Sequence, residues 1–145
     1  MNNIDLMNFW INSSNNDFET MNVLFSGGKY TWSLFVGHLV IEKLLKAYYA
    51  KINEAAPYAP KSHDLVYLAS KVEINLTDEQ ENSLNTITRF NIDGRYDDYK
   101  NQFYNLCNKD YTSNNIIKIN KVRNWLLNLI DDKITEKSEV DNNDN

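Results

Sequence analysis

Helix-breaking residues are scarce in this chain, and their scarcity limits the possible folds more than any other feature. Only four glycines and two prolines occur among 145 residues. Both prolines, Pro57 and Pro60, lie in one segment, so the chain on either side of it is free to form long helices. No alternating apolar and polar pattern indicates strands. The sequence therefore predicts an all-α protein, an up-and-down bundle of four to five helices.

Apolar residues recur at helical spacing along most of the chain. The second predicted helix, about residues 29–53, is apolar around nearly its whole circumference, which is typical of a central helix covered by its neighbours. The other predicted elements are a first helix over about 5–25 that stops at Gly27-Gly28, a short third helix capped by Ser62, a fourth opened by a capping box at Thr77 and interrupted at Asp93-Gly94, a broken helical stretch over 96–111, and a final helix from about Ser113.

Most of the acidity of the chain lies at its C-terminal end. The formal net charge is −5, and residues 131–145 hold six acidic residues and two lysines, which leaves −4 in that segment alone. This asparagine-rich segment has too little apolar content to fold by itself. We therefore expect a helical domain over 1–130 and a disordered acidic tail over 131–145. The nearly neutral body excludes a globally basic nucleic-acid binder, but not a local basic face.

Several classes of protein are excluded by residues that the chain lacks. The single cysteine, Cys107, rules out an internal disulfide framework and fits a reducing, cytoplasmic setting. No apolar run approaches the ~18 residues of a membrane span. His38 and His63 are 25 positions apart, and His38 with Glu42 offers two ligands on one face where zinc requires three or four. We expect no metal, no cofactor and no membrane association.

One polar stripe interrupts the apolar second helix. His38, Glu42 and Lys46 are spaced i, i+4 and i+8, so they share one face. One interpretation is a solvent gap in the bundle, with Glu42 and Lys46 as a modest surface pair. The other places these charges at a subunit interface or cleft, where they need partners.

Two further polar groups follow along the chain. In the segment Arg95-Tyr96-Asp97-Asp98-Tyr99, the arginine can clamp a phosphate or a carboxylate, or the two adjacent aspartates can neutralise that arginine as a structural salt bridge. His63-Asp64 opens the third helix, where Asp64 suits the helix dipole and His63 can titrate near neutrality.

The order of these motifs resembles the HEPN domain family. Gly37 to Ala47 contains the Glu-Lys-x-x-Lys-Ala signature of the second HEPN helix. His63-Asp64-Leu65 is similar to the family's His-Asp-Leu segment, and Arg95 to Tyr99 is similar to its Arg-Tyr-x-Asp-Tyr segment. The similarity covers about residues 5–130.

The resemblance implies a bundle that commonly dimerises and a setting in a two-protein module. Small prokaryotic HEPN proteins are often paired with a minimal nucleotidyltransferase, many pairs acting as toxin and antitoxin. Active HEPN toxins are metal-independent ribonucleases whose signature is an arginine followed, after about four to six residues, by a histidine. In this chain the corresponding positions after Arg95 hold Lys100, Asn101 and Gln102.

Two hypotheses follow from this resemblance and from the missing histidine after Arg95. The first is a non-catalytic or weakly active HEPN protein that binds a nucleotidyltransferase, and a nucleotide or RNA, through a cleft; its site residues are His38, Glu42, Lys46, His63, Asp64, Arg95, Tyr96 and Asp97. The alternative is a ribonuclease toxin that uses Arg95 with His63 or Tyr99. If the partner modifies its toxin covalently, Tyr96 or Tyr99 would receive the nucleotide.

Overall fold

The computed structural model describes the backbone of residues 1–143 and the side chains of residues 1–96 and 98–132. Within that part the chain is helical and contains no strand. Six helices follow one another: α1 (Asn3–Ser26), α2 (Tyr30–Ile52), α3 (Leu65–Ser70), α4 (Asp78–Arg95), α5 (Asp97–Leu106) and α6 (Lys109–Asn143). The predicted all-α bundle is confirmed. The helix count is six because the stretch expected to be broken forms a helix of its own, α5.

Helix α2 is the centre of the bundle, as its apolar circumference predicts. It packs against every other helix, and Leu34, Ile41 and Leu44 are fully buried on it. Two buried hydroxyl groups also bond it to α1: Ser14 Oγ donates to the Val40 carbonyl, and Ser33 Oγ donates to the Met21 carbonyl, each at 2.8 Å. Because these hydroxyls are satisfied by backbone acceptors, they add no unpaired polar group to the core.

The turn between α1 and α2 depends on two glycines. Gly27 ends α1, and Gly28 has a φ of 75°, in the left-handed region that glycine adopts without steric cost. The amide of Lys29 then donates to the Leu24 carbonyl at 2.8 Å, which satisfies one of the free carbonyls at the helix end. The predicted stop at Gly27-Gly28 is confirmed.

Helix α4 starts where the sequence predicts and ends later. Thr77 and Gln80 form the predicted capping box. The expected interruption at Asp93-Gly94 is wrong, because Arg95 is the last residue of α4. Tyr96 follows as the C-cap, and its backbone is extended. Packing explains the difference: a Cβ on Gly94 would lie 3.2 Å from Cδ2 of Phe35, so the glycine allows α4 to approach α2 closely instead of breaking the helix.

The segment between α2 and α4 also departs from one expectation. Asp64 is the N-cap of α3 and accepts from the Tyr67 amide at 3.2 Å, whereas the sequence predicts Ser62 in that role. Ser62 instead accepts from the Asp64 amide at 3.1 Å. The cap moves by two residues because α3 begins only at Leu65, whose amide donates to Oγ1 of Thr88 on α4.

Helix α6 begins at Lys109, earlier than the expected Ser113. The earlier start follows from Asn108, whose side-chain oxygen accepts from the Tyr111 amide at 2.8 Å and so caps the first turn. The core positions of α6 extend to Ile130 within the described part. The backbone of α6 continues as helix to Asn143, whereas the side chains of residues 133–145 lie outside the described part. The separate disordered tail over 131–145 stays a prediction.

Candidate functional site

The polar stripe of α2 faces the interior of the bundle. His38 is fully buried, Glu42 is 5% exposed, and the side chain of Lys46 is 15% exposed. The interpretation of the stripe as a solvent gap is therefore wrong. The long segment that leads from α2 to α3 covers this face, and the sequence spacing of the stripe could not show a cover supplied from another part of the chain.

Both ring nitrogens of His38 have partners. Nε2 donates to the main-chain carbonyl of His63 at 2.8 Å, and because a carbonyl only accepts, Nε2 carries the hydrogen. Nδ1 then accepts from the Asn91 side-chain amide in a long contact of 3.5 Å. Burial lowers the pKa of His38 below 6.5, so the ring is held neutral. His38 is a structural residue that anchors the segment carrying His63.

The carboxylate of Glu42 is shared between two cationic or donor groups. Oε1 accepts from Nδ1 of His63 at 2.6 Å, and Oε2 accepts from Nζ of Lys46 at 3.2 Å. A buried carboxylate is stable only with such charge-assisted partners. Lys46 in turn lies over the ring of Trp10, with Nζ 5.4 Å from the ring centroid.

The imidazole of His63 is the accessible part of this arrangement. Its side chain is 54% exposed, although Glu42 and the main-chain bond to His38 fix its position. Because Nδ1 donates to Glu42, Nε2 is the nitrogen left to accept a proton or a hydrogen bond from a bound molecule. Such an orientation, a histidine held by a carboxylate, suits both ligand binding and acid–base chemistry.

Arg95, on α4, is the last residue of this arrangement. Its Nη1 donates to Oδ1 of Asn91 at 3.3 Å, and its guanidinium lies 5.7 Å from the ring centroid of exposed Tyr96. Asn91 thus bonds to both Arg95 and His38. We call the resulting continuous set of contacts the polar string; it consists of Lys46, Glu42, His63, His38, Asn91 and Arg95.

Not every predicted site residue joins the polar string. Asp64 is used as the cap of α3. The ring of Tyr99 lies under Arg89, 5.5 Å from its guanidinium carbon, rather than under Arg95. The side chain of Asp97 lies outside the described residues, so its predicted role stays a prediction.

Sequence reasoning missed Asn91, which is 3% exposed and connects the two halves of the string. The one available signal was its spacing, four residues before Arg95 on the same helix. The helical spacing of α1 predicts Trp10 as a core position and gives no sign of its contact with Lys46.

Other chemistry is weakly represented among the described residues. Burial raises the pKa of the Cys107 thiol to about 12, with a further contribution from Asp93, so the thiol stays protonated at neutral pH and is a poor nucleophile. In the part of the chain that the structure describes, no three His, Cys, Asp or Glu side chains come together as metal ligands. No described helix is both long and apolar enough to span a bilayer.

Comparison with known proteins identifies the fold. The family model for the HEPN domain matches residues 7–130. Among solved structures, the protein TT1696 from Thermus thermophilus superposes with a TM-score of 0.72 at 13% identity, and the match covers 88% of this chain and 98% of that chain. No curated protein matches significantly. The family match over most of the chain shows that this protein belongs to the HEPN family.

Proposed function

We propose that this HEPN protein is the non-catalytic or weakly active member of a cytoplasmic two-protein module of the toxin–antitoxin kind. Its partner would be a minimal nucleotidyltransferase, bound through the exposed surface of His63, Arg95 and Tyr96 together with a nucleotide or RNA. A homodimer is the form we expect for the HEPN component.

The observation that supports this function is that the inner residues of the polar string use their hydrogen-bonding groups within the fold. His38 uses both ring nitrogens within the fold, and both Glu42 oxygens are occupied by His63 and Lys46. These groups position the covering segment and are not available to a substrate. What remains outward is an imidazole, a guanidinium and a tyrosine ring, which are groups that recognise phosphate, carboxylate and flat aromatic surfaces.

Co-purification tests the proposal directly. A tagged copy, expressed from its native locus together with the neighbouring genes, should elute with a nucleotidyltransferase at a fixed ratio. The double variant Arg95→Ala/Tyr96→Ala should lose the partner. The matched control is Lys71→Ala/Tyr67→Ala, because Lys71 and Tyr67 form a similar surface cation–π pair, with Nζ 5.2 Å from the ring centroid, and neither residue belongs to the polar string. Elution of the wild-type HEPN protein alone would refute the partner assignment.

A second candidate, the metal-independent ribonuclease, is favoured by one observation, the 2.6 Å bond between Glu42 and His63. A histidine oriented in this way can take the proton of a ribose 2′-hydroxyl as the 2′-oxygen attacks the adjacent phosphorus, while Arg95 stabilises the phosphate charge. The bond from phosphorus to the 5′-oxygen of the next nucleotide then breaks, this oxygen takes up a proton from solvent, and a 2′,3′-cyclic phosphate remains. This function predicts RNA cleavage that persists in EDTA and is lost in His63→Ala and Arg95→Ala. Intact RNA after incubation with a verified dimer would exclude it.

Covalent modification is a third outcome of the same module. Tyr96 and Tyr99 are 53% and 44% exposed, so both residues lie at the surface that a nucleotidyltransferase would meet. Transfer of a nucleotidyl group from a nucleoside triphosphate would form a phosphodiester at that oxygen and release pyrophosphate. Intact-mass spectrometry after co-expression should then show the added nucleotide, and the Tyr→Phe variant at the modified position should not.

A further inference from the structure

A cleft lies around Trp125, among the C-terminal part of α2, the segment after α3, the start of α4 and helix α6. It consists of two neighbouring cavities of about 250 and 550 Å³, and Trp125, Thr77 and Gln80 line both of them. No residue of the polar string is among the described residues that line it. Cavities of this size accommodate a small organic molecule. We call this feature the Trp125 cleft.

The wall of the larger cavity is mainly apolar. Its apolar members are Tyr48 and Ile52 of α2, Val72 and Ile74 after α3, and Leu129 of α6. Ile52 is 39% exposed, so part of this apolar wall is open to solvent. Because removing apolar surface from water is favourable, the wall suits a ligand with an apolar body.

The indole of Trp125 differs from the other two tryptophan rings. Lys46 lies over Trp10, with Nζ 5.4 Å from the ring centroid, and Phe35 contacts the ring of Trp32 at a centroid distance of 5.8 Å. Trp125 is half-buried, and among residues 1–96 and 98–132 neither a cation nor an aromatic ring lies against it. Tryptophan has the ring that binds cations best, so this face can receive an ammonium group from a ligand.

Glu73, in the lining of the larger cavity, occupies a backbone position that rarely holds a glutamate. Its φ is 59°, in the left-handed region, at the turn where the Ile74 amide donates to the Ala69 carbonyl. Glycine is the usual residue at such a turn. The exposed Glu73 side chain has no hydrogen bond or ion pair within the described part, and Lys71 lies over Tyr67 instead. Strained positions cluster at ligand-binding sites, which makes this carboxylate a candidate ligand group.

The charges of the lining favour a cationic ligand. Lys121 is the single basic side chain among the described lining residues, and its Nζ donates to Glu79 at 2.6 Å. That pair leaves the carboxylate of Glu73 as the uncompensated charge. Helix α2 also ends here, with Ile52 in the lining, and the free carbonyl groups of a helix C-terminus carry partial negative charge. An anionic ligand is therefore disfavoured.

We infer that the Trp125 cleft binds a small organic ammonium ion with an apolar body. The apolar body packs on the wall formed by α2 and α6, and the ammonium group lies over Trp125 in the cavity that Glu73 also lines. This inference goes beyond the proposed function, which uses the polar string, and does not depend on it.

The test uses three soluble probes that share a phenyl ring and differ in charge: phenethylammonium, 2-phenylethanol and phenylacetate. In ¹⁵N-labelled protein the indole signals of the three tryptophans report binding separately, and Trp125→Leu assigns the signal of Trp125. Phenethylammonium should shift that signal and bind roughly five- to tenfold more tightly than 2-phenylethanol, because only the ammonium gains cation–π and charge-assisted contacts. Phenylacetate should bind more weakly than both.

Variants separate the charge of the cleft from its fold. Glu73→Gln should reduce the preference for the ammonium over the alcohol by roughly threefold or more, whereas Glu81→Gln, which removes an exposed carboxylate outside the lining, should keep it. Glu73→Gly should reduce the preference equally while Tm stays equal or rises, because glycine relieves the left-handed backbone. Trp125→Leu should also reduce the preference, with unchanged signals of Trp10 and Trp32 showing an intact fold.

Several outcomes would overturn the inference. Absence of binding by all three probes would do so, as would equal binding of the ammonium and the alcohol, tighter binding of phenylacetate, or shifts confined to Trp10 or Trp32. A preference for the ammonium that survives in both Glu73→Gln and Trp125→Leu would also overturn it. If the protein elutes without a nucleotidyltransferase but phenethylammonium still shifts Trp125, the proposed partner is wrong and this inference stands.

Discussion

His38 and Glu42 are one helical turn apart on α2, and each fixes a different part of His63. Their side chains share a face of α2, and His63 contacts both, through its carbonyl and through its ring. His38 stabilises the position of the covering segment as a neutral donor, whereas Glu42 fixes the imidazole itself by charge. The i, i+4 spacing was readable from the sequence. The burial of the pair was not, because the cover comes from a separate segment further along the chain.

Burial of His38 predicts a specific dependence of stability on pH. Burial lowers its folded pKa below 6.5, so the unfolded chain binds a proton that the folded protein excludes. The free energy of unfolding should therefore fall as pH drops below about 6.5, by up to ~1.4 kcal/mol per pH unit from this group, until the folded pKa is reached.

The control is His38→Gln, which keeps a donor and does not titrate. Urea unfolding of both proteins from slightly alkaline to mildly acidic pH isolates the effect, because all other groups titrate in both. The stability advantage of the wild-type protein over the variant should shrink as the pH falls. Parallel curves across this range would contradict the assignment of His38 as a buried neutral histidine.

A second prediction concerns the charge of Glu42. Glu42→Gln keeps the shape but removes the charge that Lys46 and His63 share, so the free energy of unfolding should drop by about 1–3 kcal/mol. The measurement is urea denaturation at neutral pH. Glu79→Gln is the matched control, because Glu79 forms an exposed pair with Lys121 and its loss should lower the midpoint much less than Glu42→Gln does. Equal effects of the two substitutions would show that Glu42 is not an internal anchor.

Among the helices, α4 illustrates both what local sequence encodes and what it does not. The Thr77 capping box is a short-range signal, and it was predictable from four residues. The continuation of α4 through Gly94 was not, because it depends on contact with Phe35 of another helix. A glycine that reads as a breaker in isolation serves here as a site of close packing.

The cap of α4 should contribute measurably to stability. Thr77→Ala removes the hydroxyl that accepts from the Gln80 amide, and we expect a loss of ~1 kcal/mol in the free energy of unfolding. Thr86→Ala, in the exposed interior of the same helix, is the comparison, and it should be neutral or slightly stabilising because alanine is the better helix former. Thermal denaturation of both variants measures the difference. A larger loss for Thr86→Ala would be inconsistent with the capping box.

Helix α2 packs closely against α1 and α6 at Gly37. A Cβ there would lie 2.5 Å from Cδ1 of Ile119 and 3.1 Å from Sδ of Met21, both on fully buried residues. Gly37→Ala should therefore destabilise the fold by about 1–2 kcal/mol, since overpacking outweighs the gain in helix propensity.

Ile119→Val removes the Cδ1 atom that the new methyl group would meet. The double variant Gly37→Ala/Ile119→Val should be more stable than the sum of the two single effects predicts, and a double-mutant cycle by urea denaturation measures this coupling. Strict additivity would mean that α2 and α6 do not meet closely at this position.

For the molecule as a whole, the sequence predicted the all-helical class because helix breakers are few. It predicted the central position of α2 because that helix is apolar around nearly its whole circumference. The candidate site could be predicted from the sequence only in part. The motifs around His63 and Arg95 could be named from the sequence, but their connection through Asn91 and His38 could not, because it joins three separate elements. Family membership adds the fold and leaves activity to the site itself, because one fold hosts many functions.

We propose different roles for the two histidines, with His38 stabilising the fold and His63 contacting the proposed partner, and NMR of the histidine rings distinguishes these roles. With only two histidines, the ¹⁵N-labelled rings give separable signals, assigned with His38→Gln. We predict that His38 keeps its hydrogen on Nε2 with and without the partner, whereas the His63 signals shift when the proposed nucleotidyltransferase partner is bound. Unchanged His63 signals in that complex, or a His38 ring whose hydrogen lies on Nδ1, would show that the two histidines do not have these roles.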